Sequence, residues 1–200
     1  MSKEKKDRRI DALAWYIFVG VVAICLVVCA AKMIMNIEAT ASQEESLNEI
    51  TCFQDFEAND FDGNVVDESI FADYKLTVIN CWETTCSPCV GEMPDLYALS
   101  EEYEKKDVQI IGLCGDIVDG KGTVDESLYQ DAQGIVASTG AAYRHLIPSE
   151  GIVKDLLMHI VAFPTTILVD STGEDIYYVM GAKSADEWRQ LIDTKLEEME

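Results

Sequence analysis

The rhythm of apolar and polar positions changes near residue 36. From Ala12 to Ala31 about 20 consecutive positions are uncharged and mostly apolar, the length a helix needs to cross roughly 30 Å of hydrocarbon. A polar, acidic stretch over residues 36–48 has no sustained apolar face and reads as a linker. Beyond it, Phe53 to Val66 reads as two short strands about the turn Asp62-Gly63-Asn64. Tyr74 to Trp82 is a buried central strand. Pro88 to Glu104 is a helix whose inner face carries Met93, Leu96, Tyr97, Leu99 and Tyr103. Val108 to Cys114 is a second strand, too uniformly apolar to have a solvated face. After a loop over Gly115 to Gly122 come a helix over Val124 to Ser138, ending near Gly140, and a short helix over Ile152 to His159. The strands Thr165 to Asp170 and Asp175 to Met180 flank the turn Ser171-Thr172-Gly173. Ser184 and Glu187 form a capping box that opens a last helix.

These segments divide the chain into a head over 1–11, a membrane anchor over 12–35, a linker over 36–48 and one α/β domain over 49–200. The head is basic: Lys3, Lys5, Lys6, Arg8 and Arg9 precede the apolar run, Trp15 and Tyr16 sit at its inner edge and Lys32 marks the other end. The positive-inside rule therefore expects the N-terminus in the cytoplasm and the domain outside. The run is longer than a cleaved signal's apolar core, so an uncleaved anchor is expected. Val28 stands just before Cys29, where a lipidation signal has a small residue. From Asn36 onward 9 Lys and Arg face 34 Asp and Glu, a net charge of −25. Such a surface repels phosphate backbones, which argues against a nucleic-acid partner.

The seven cysteines are not spaced like a secreted disulfide scaffold. Cys25 and Cys29 lie in the apolar run, Cys81 and Cys114 in core strands, and Cys52 stands alone; all five read as small buried hydrophobes. Cys86-Ser87-Pro88-Cys89 differs, because it sits where a strand turns into a helix. A Cys-x-x-Cys pair is half a zinc site or a redox dithiol. Zinc needs four ligands, and His145 and His159 are distant in sequence from each other and from the pair. Pro88 suits a first helical turn, and the exposed amides there favour a thiolate. The reading is a redox dithiol with Cys86 attacking and Cys89 resolving. The acidic residues Asp116, Asp119, Asp125, Glu126 and Asp131 miss the spacing of a calcium loop.

The run Asn80-Cys-Trp-Glu-Thr-Thr-Cys-Ser-Pro-Cys-Val-Gly-Glu-Met-Pro-Asp-Leu, followed later by Phe-Pro-Thr-Thr-Ile-Leu-Val-Asp, resembles the TlpA/ResA-type thioredoxin-like family. With the Asp-Phe-Asp-Gly-Asn turn the resemblance runs from about Phe53 to the C-terminus. It implies a thioredoxin fold with an N-terminal β-hairpin and a helical insertion, here preceded by one transmembrane helix. The implied enzyme is a protein-disulfide oxidoreductase at the outer face of the cell membrane, with no cofactor beyond the Cys86–Cys89 pair. Pro164 matches the family's cis-proline, which frees the peptide of Phe163 to pair with a substrate strand. Trp82, Thr85, Ser87, Pro88 and Phe163 are expected at the substrate-binding surface. Glu92 matches the glutamate after the family's dithiol. Burial raises a thiol's pKa, so Cys89 needs a base to resolve a mixed disulfide. Asn80 stands where thioredoxin has a buried aspartate and cannot ionise.

The family commonly has tryptophan before its first cysteine and phenylalanine before the earlier tryptophan; this chain has Thr85 and Cys81. The expected partners are protein disulfides and a CcdA-like membrane electron donor, with reduction favoured over the alternative of a disulfide-forming oxidase. A peroxidase needs threonine where Glu83 stands. A copper-delivery module, a minor alternative, would space its cysteines one residue wider and use a histidine such as His159.

Overall fold

A computed structural model describes Lys32, Phe53 and residues 57–199. The chain divides into the units Met1–Ser46 and Leu47–Glu200. Of the first only Lys32, an exposed helical residue, is described, so the expected span at 12–35 otherwise lies outside the described residues, as does the linker. Among the described residues no helix is long and apolar enough to cross a membrane.

The second unit is built on a seven-stranded mixed sheet. Its strands are β1 (Glu57–Asp60), β2 (Val65–Asp67), β3 (Leu76–Trp82), β4 (Val108–Cys114), β5 (Arg144–Ile147), β6 (Thr165–Asp170) and β7 (Asp175–Met180), in the order β2-β1-β5-β4-β3-β6-β7. Strands β3, β4 and β5 run parallel, and β1, β6 and β7 join antiparallel to their inner neighbours. The helices are α1 (Ser69–Ala72), α2 (Ser87–Tyr103), α3 (Glu126–Thr139), α4 (Glu150–Asp155) and α5 (Ala185–Glu198).

Strand β3 is buried at all seven positions, as a strand covered on both faces must be. Its alternation feeds two cores. Leu76, Val78 and Trp82 point to the side of α2, α3 and α5, where Met93, Leu96, Leu99, Ala132, Trp188 and Ile192 pack. Ile79 and Cys81 point to the opposite side, with Phe71, Ile152 and Leu156. Burying Leu96 and Leu99 stabilises the seat of α2 on the sheet by about 1.5–3 kcal/mol each.

The hairpin, both central strands, the last two strands and the capping box over Ser184 and Glu187 lie where the sequence places them. Helix α3 ends as expected at Gly140, whose φ of 70° serves a left-handed cap. The segment expected as a helical insertion differs: after α3 it also supplies β5, which sits between β1 and β4. Strand β5 has only four residues, Arg144-His145-Leu146-Ile147, two of them polar, so neither a periodic nor a continuous apolar signal marks it.

Candidate active site

The site begins with the geometry of a helix start. Cys86 is the N-cap of α2 in extended conformation (φ −85°, ψ 92°), and its sulfur accepts the Cys89 amide at 3.3 Å. Ser87 and Pro88 fill the first turn, where proline removes no needed donor. Cys86 and Cys89 are joined by a disulfide with a Cα–Cα distance of 5.3 Å. Their burial differs: Cys86 is half-buried, whereas Cys89 has no exposed surface. Thr85, Ser87 and Pro88 are exposed around them.

The Phe163–Pro164 peptide is cis. Phe163 and Cys86 both pack against the core cluster that contains Trp82 and Cys89. A methyl group at Gly115 would stand 3.4 Å from the Phe163 ring and 3.5 Å from Leu157, so the loop after β4 closes directly on the proline segment. Trp82 takes a different place from the one expected. It has no exposed surface and meets His145 edge-on at 5.6 Å. A fully covered indole has no face to offer a client, so Trp82 supports the site from beneath.

Glu92 lies one turn beyond Cys89, its side chain 3 % exposed. Three donors from three parts of the chain meet its carboxylate. Asn80 Nδ2 donates to Oε1 at 2.8 Å, and the Lys183 amide and Trp188 Nε1 donate to Oε2 at 3.1 and 3.3 Å. Burial pushes the Glu92 pKa above the usual carboxylate value, and the three donors with the Lys183 charge pull against that. Asn80 also donates to Thr166 Oγ1 at 3.0 Å, tying β3 to β6.

In the turn before the dithiol, Thr84 is held by Asp116, which accepts the Thr84 amide with both oxygens, at 3.1 and 2.9 Å, and the Thr84 hydroxyl as well. Burial first, and Asp116 second, raise the pKa of Glu83. Cys114 lies 3.5 Å from Asp116, and burial with the Asp116 charge pushes its thiol far up; a thiol held protonated is a poor nucleophile. Cys81 is buried on the opposite face of the sheet.

Sequence reasoning did not find Trp188, Lys183 or Asp116. Trp188 is 96 residues from Glu92 in the chain, and only the proximity of α5 to α2 reveals it. Among the described residues no group of three or more His, Cys, Asp or Glu is placed to hold a metal ion.

Residues 51–176 match the family model described as AhpC/TSA. The chain belongs to the AhpC/TSA family. Within it, the named relatives agree with the TlpA/ResA-type resemblance. The chain is 24% identical over 171 residues to a thiol-disulfide oxidoreductase ResA of Bacillus thuringiensis, covering 86% of this chain and 92% of that one. It is 29% identical over 124 residues to the thiol:disulfide interchange protein HelX of Rhodobacter capsulatus, a match that spans 62% of either chain. A thioredoxin-family thiol:disulfide interchange protein of Chlorobium tepidum superposes with a TM-score of 0.58 at 15% identity, over 70% of this chain and 91% of that one. That superposition establishes the thioredoxin-like fold. The enzyme class expected from the sequence, protein-disulfide oxidoreductase, is the class these AhpC/TSA relatives are named for, and the chain carries the Cys86–Cys89 pair that such an enzyme needs.

Proposed function

We propose that the chain is a membrane-anchored, extracytoplasmic thiol-disulfide oxidoreductase that reduces disulfides in exported proteins. The observation that carries the reading is the asymmetry of the dithiol: Cys86 half-buried at a helix N-terminus, Cys89 covered, and a buried carboxylate one turn further on. Cys86 thiolate attacks a client disulfide and releases one client thiolate. Cys89 passes its proton to Glu92 and attacks Cys86, which frees the second client thiolate and leaves the Cys86–Cys89 disulfide. Two electrons have moved from enzyme to client. Pro164, Phe163, Thr85, Ser87 and Pro88 border the client's approach.

The anchor and its orientation are supported by the apolar run over 12–31 and the basic residues before it. A domain outside the membrane needs its electrons delivered through it, so a CcdA-like membrane donor is the partner proposed for recharging the dithiol.

The Cys89→Ser chain, expressed at full length, tests the reading. It is expected to accumulate mixed disulfides with exported proteins, and Cys86→Ser is expected to be inactive. Turnover by the wild type with no trapping by Cys89→Ser would overturn the assignment of the two sulfurs. Equilibration with glutathione decides the direction. A potential near that of thioredoxin, about −270 mV, supports reduction; one near about −120 mV would make the chain an oxidase.

A further inference from the structure

The Glu92 carboxylate is fixed by groups that do not belong to its own helix. Asn80 comes from β3, Trp188 from α5, and the Lys183 amide from the turn just before α5. Asn80 and Trp188 have no exposed surface, so water does not compete for these bonds. The ammonium of Lys183 and the phenol of Tyr143 are the charged and titratable groups acting on Glu92 from neighbouring segments, and on its own helix Cys89 stands one turn earlier.

Resting on the oxidoreductase reading above, we propose that Asn80 and Trp188 are positioning residues for the resolving step, holding the Glu92 carboxylate charged and aimed to take the Cys89 proton. A buried carboxylate left to itself takes a proton rather than remain ionised. Hydrogen bonds from neutral donors to the ionised form oppose this, and those to a charged acceptor are about twice as strong as neutral ones. Two features of the arrangement are specific. First, the atom of Asn80 that faces Glu92 is a donor: an aspartate at 80 would set two carboxyl groups against each other across 2.8 Å, and such a pair binds a proton between them. The amide is thus what allows the single base to sit at 92, and the chain's departure from thioredoxin at position 80 belongs together with Glu92. Second, Trp188 brings the C-terminal helix into the chemistry. The Ser184 cap that starts α5 and the Lys183 amide that reaches Glu92 are consecutive residues, so the start of this helix and the placement of the base are one structural unit.

In electron and proton terms, the mixed disulfide at Cys86 is broken by the Cys89 sulfur, the client sulfur leaves as thiolate, and the Cys89 proton resides on Glu92 at the end of the step. Weakening the bonds to the ionised carboxylate leaves less of the accepting form at a given pH, which slows this step and not the attack by Cys86.

The two steps can be timed separately in the full-length, reduced chain with Cys25, Cys29 and Cys52 changed to Ser, using a substoichiometric aromatic disulfide. The first aryl thiolate released reports Cys86 attack, and the second reports resolution by Cys89. In the wild type the second release should fall on the acid side. In Asn80→Asp and Trp188→Phe that acid limb should move up by about one pH unit, a ten-fold loss of second-phase rate on the acid side. In a Glu92→Gln background neither substitution should slow the second phase further. An acid limb unmoved in Trp188→Phe, or a slowing that persists undiminished beside Glu92→Gln, would overturn the proposal. Trp188→Phe keeps the ring and loses the N–H, so it carries the test if Asn80→Asp does not fold. A wild type that releases no second thiolate would instead overturn the dithiol reading itself.

Discussion

The carboxylate of Asp116 holds the backbone amide of Thr84 with both of its oxygens, at 3.1 and 2.9 Å, and the Thr84 hydroxyl with one of them. This joins the loop after β4 to the turn that presents Cys86, because the Cys86 amide in turn donates to the Glu83 carbonyl at 3.1 Å. Asp116→Ala should lower unfolding stability by about 2 kcal/mol, the range for hydrogen bonds to a charged acceptor. Thr84→Val should cost less, since the amide bonds survive. Denaturant titration of the two single variants and the double variant should show a non-additive pair; simple additivity would mean that the Thr84 hydroxyl bond contributes nothing to the fold.

Asp116 also marks the limit of what the sequence discloses. The dithiol, its helix and the proline segment are legible because their chemistry is local: Pro88 in a first turn, an apolar run before it, Ser184 and Glu187 three residues apart. Asp116, Trp188 and Asn80 act across 32, 96 and 12 residues of chain, and a spacing of that kind leaves no periodic trace. Strand β5 was illegible for a related reason. Its pairing to β4 and β1 makes it a strand, whereas its four side chains alone do not.

A second close approach gives a sharper test. Gly112 pairs with His145 in the sheet register, and an added Cβ would stand 2.2 Å from His145 Nδ1 and 2.7 Å from Cε1. The imidazole cannot swing away easily, as it is flanked by the rings of Phe61 at 5.6 Å, Trp82 at 5.6 Å and Tyr143 at 4.5 Å. Gly112→Ala should destabilise by about 1–3 kcal/mol, the range for overpacking. Combining it with His145→Ala should recover part of the loss in the denaturation midpoint.

His145 further predicts an acid limb in stability. Burial lowers its pKa from 6.5 to about 4, opposed only by its bond to the Ala141 carbonyl. The unfolded chain therefore binds a proton at 145 more readily than the folded one. Stability from this group is complete above about pH 6.5, falls as pH drops toward about 4 and then levels, a loss of about 3 kcal/mol over the window. Glu92 works in the opposite sense. Its raised folded pKa means that the cost of its charge is relieved as the pH falls through that value. The difference between wild type and His145→Gln isolates the histidine: stability curves measured between pH 4 and 8 should diverge below about pH 6.5, and parallel curves would contradict the assignment.

Glu92→Gln should preserve the fold, since a glutamine oxygen can still accept from part of the donor set, while removing the carboxylate proposed as the Cys89 proton acceptor. Loss of a positioned general base typically costs about 10²–10⁴ in rate. The resolving step should slow by at least about 10², and its acid limb should disappear. A rate–pH profile identical to that of the wild type would show that the Cys89 proton leaves by another route.

Cys86 is half-buried and Cys89 has no exposed surface at all, so of this pair only one sulfur makes electrical contact with the outside. Whatever supplies electrons and whatever consumes them must dock at the same sulfur, and therefore never at the same moment. Such a molecule cannot act as a wire held between two terminals. It works as a courier that visits one partner, is discharged, and must detach before it can visit the other.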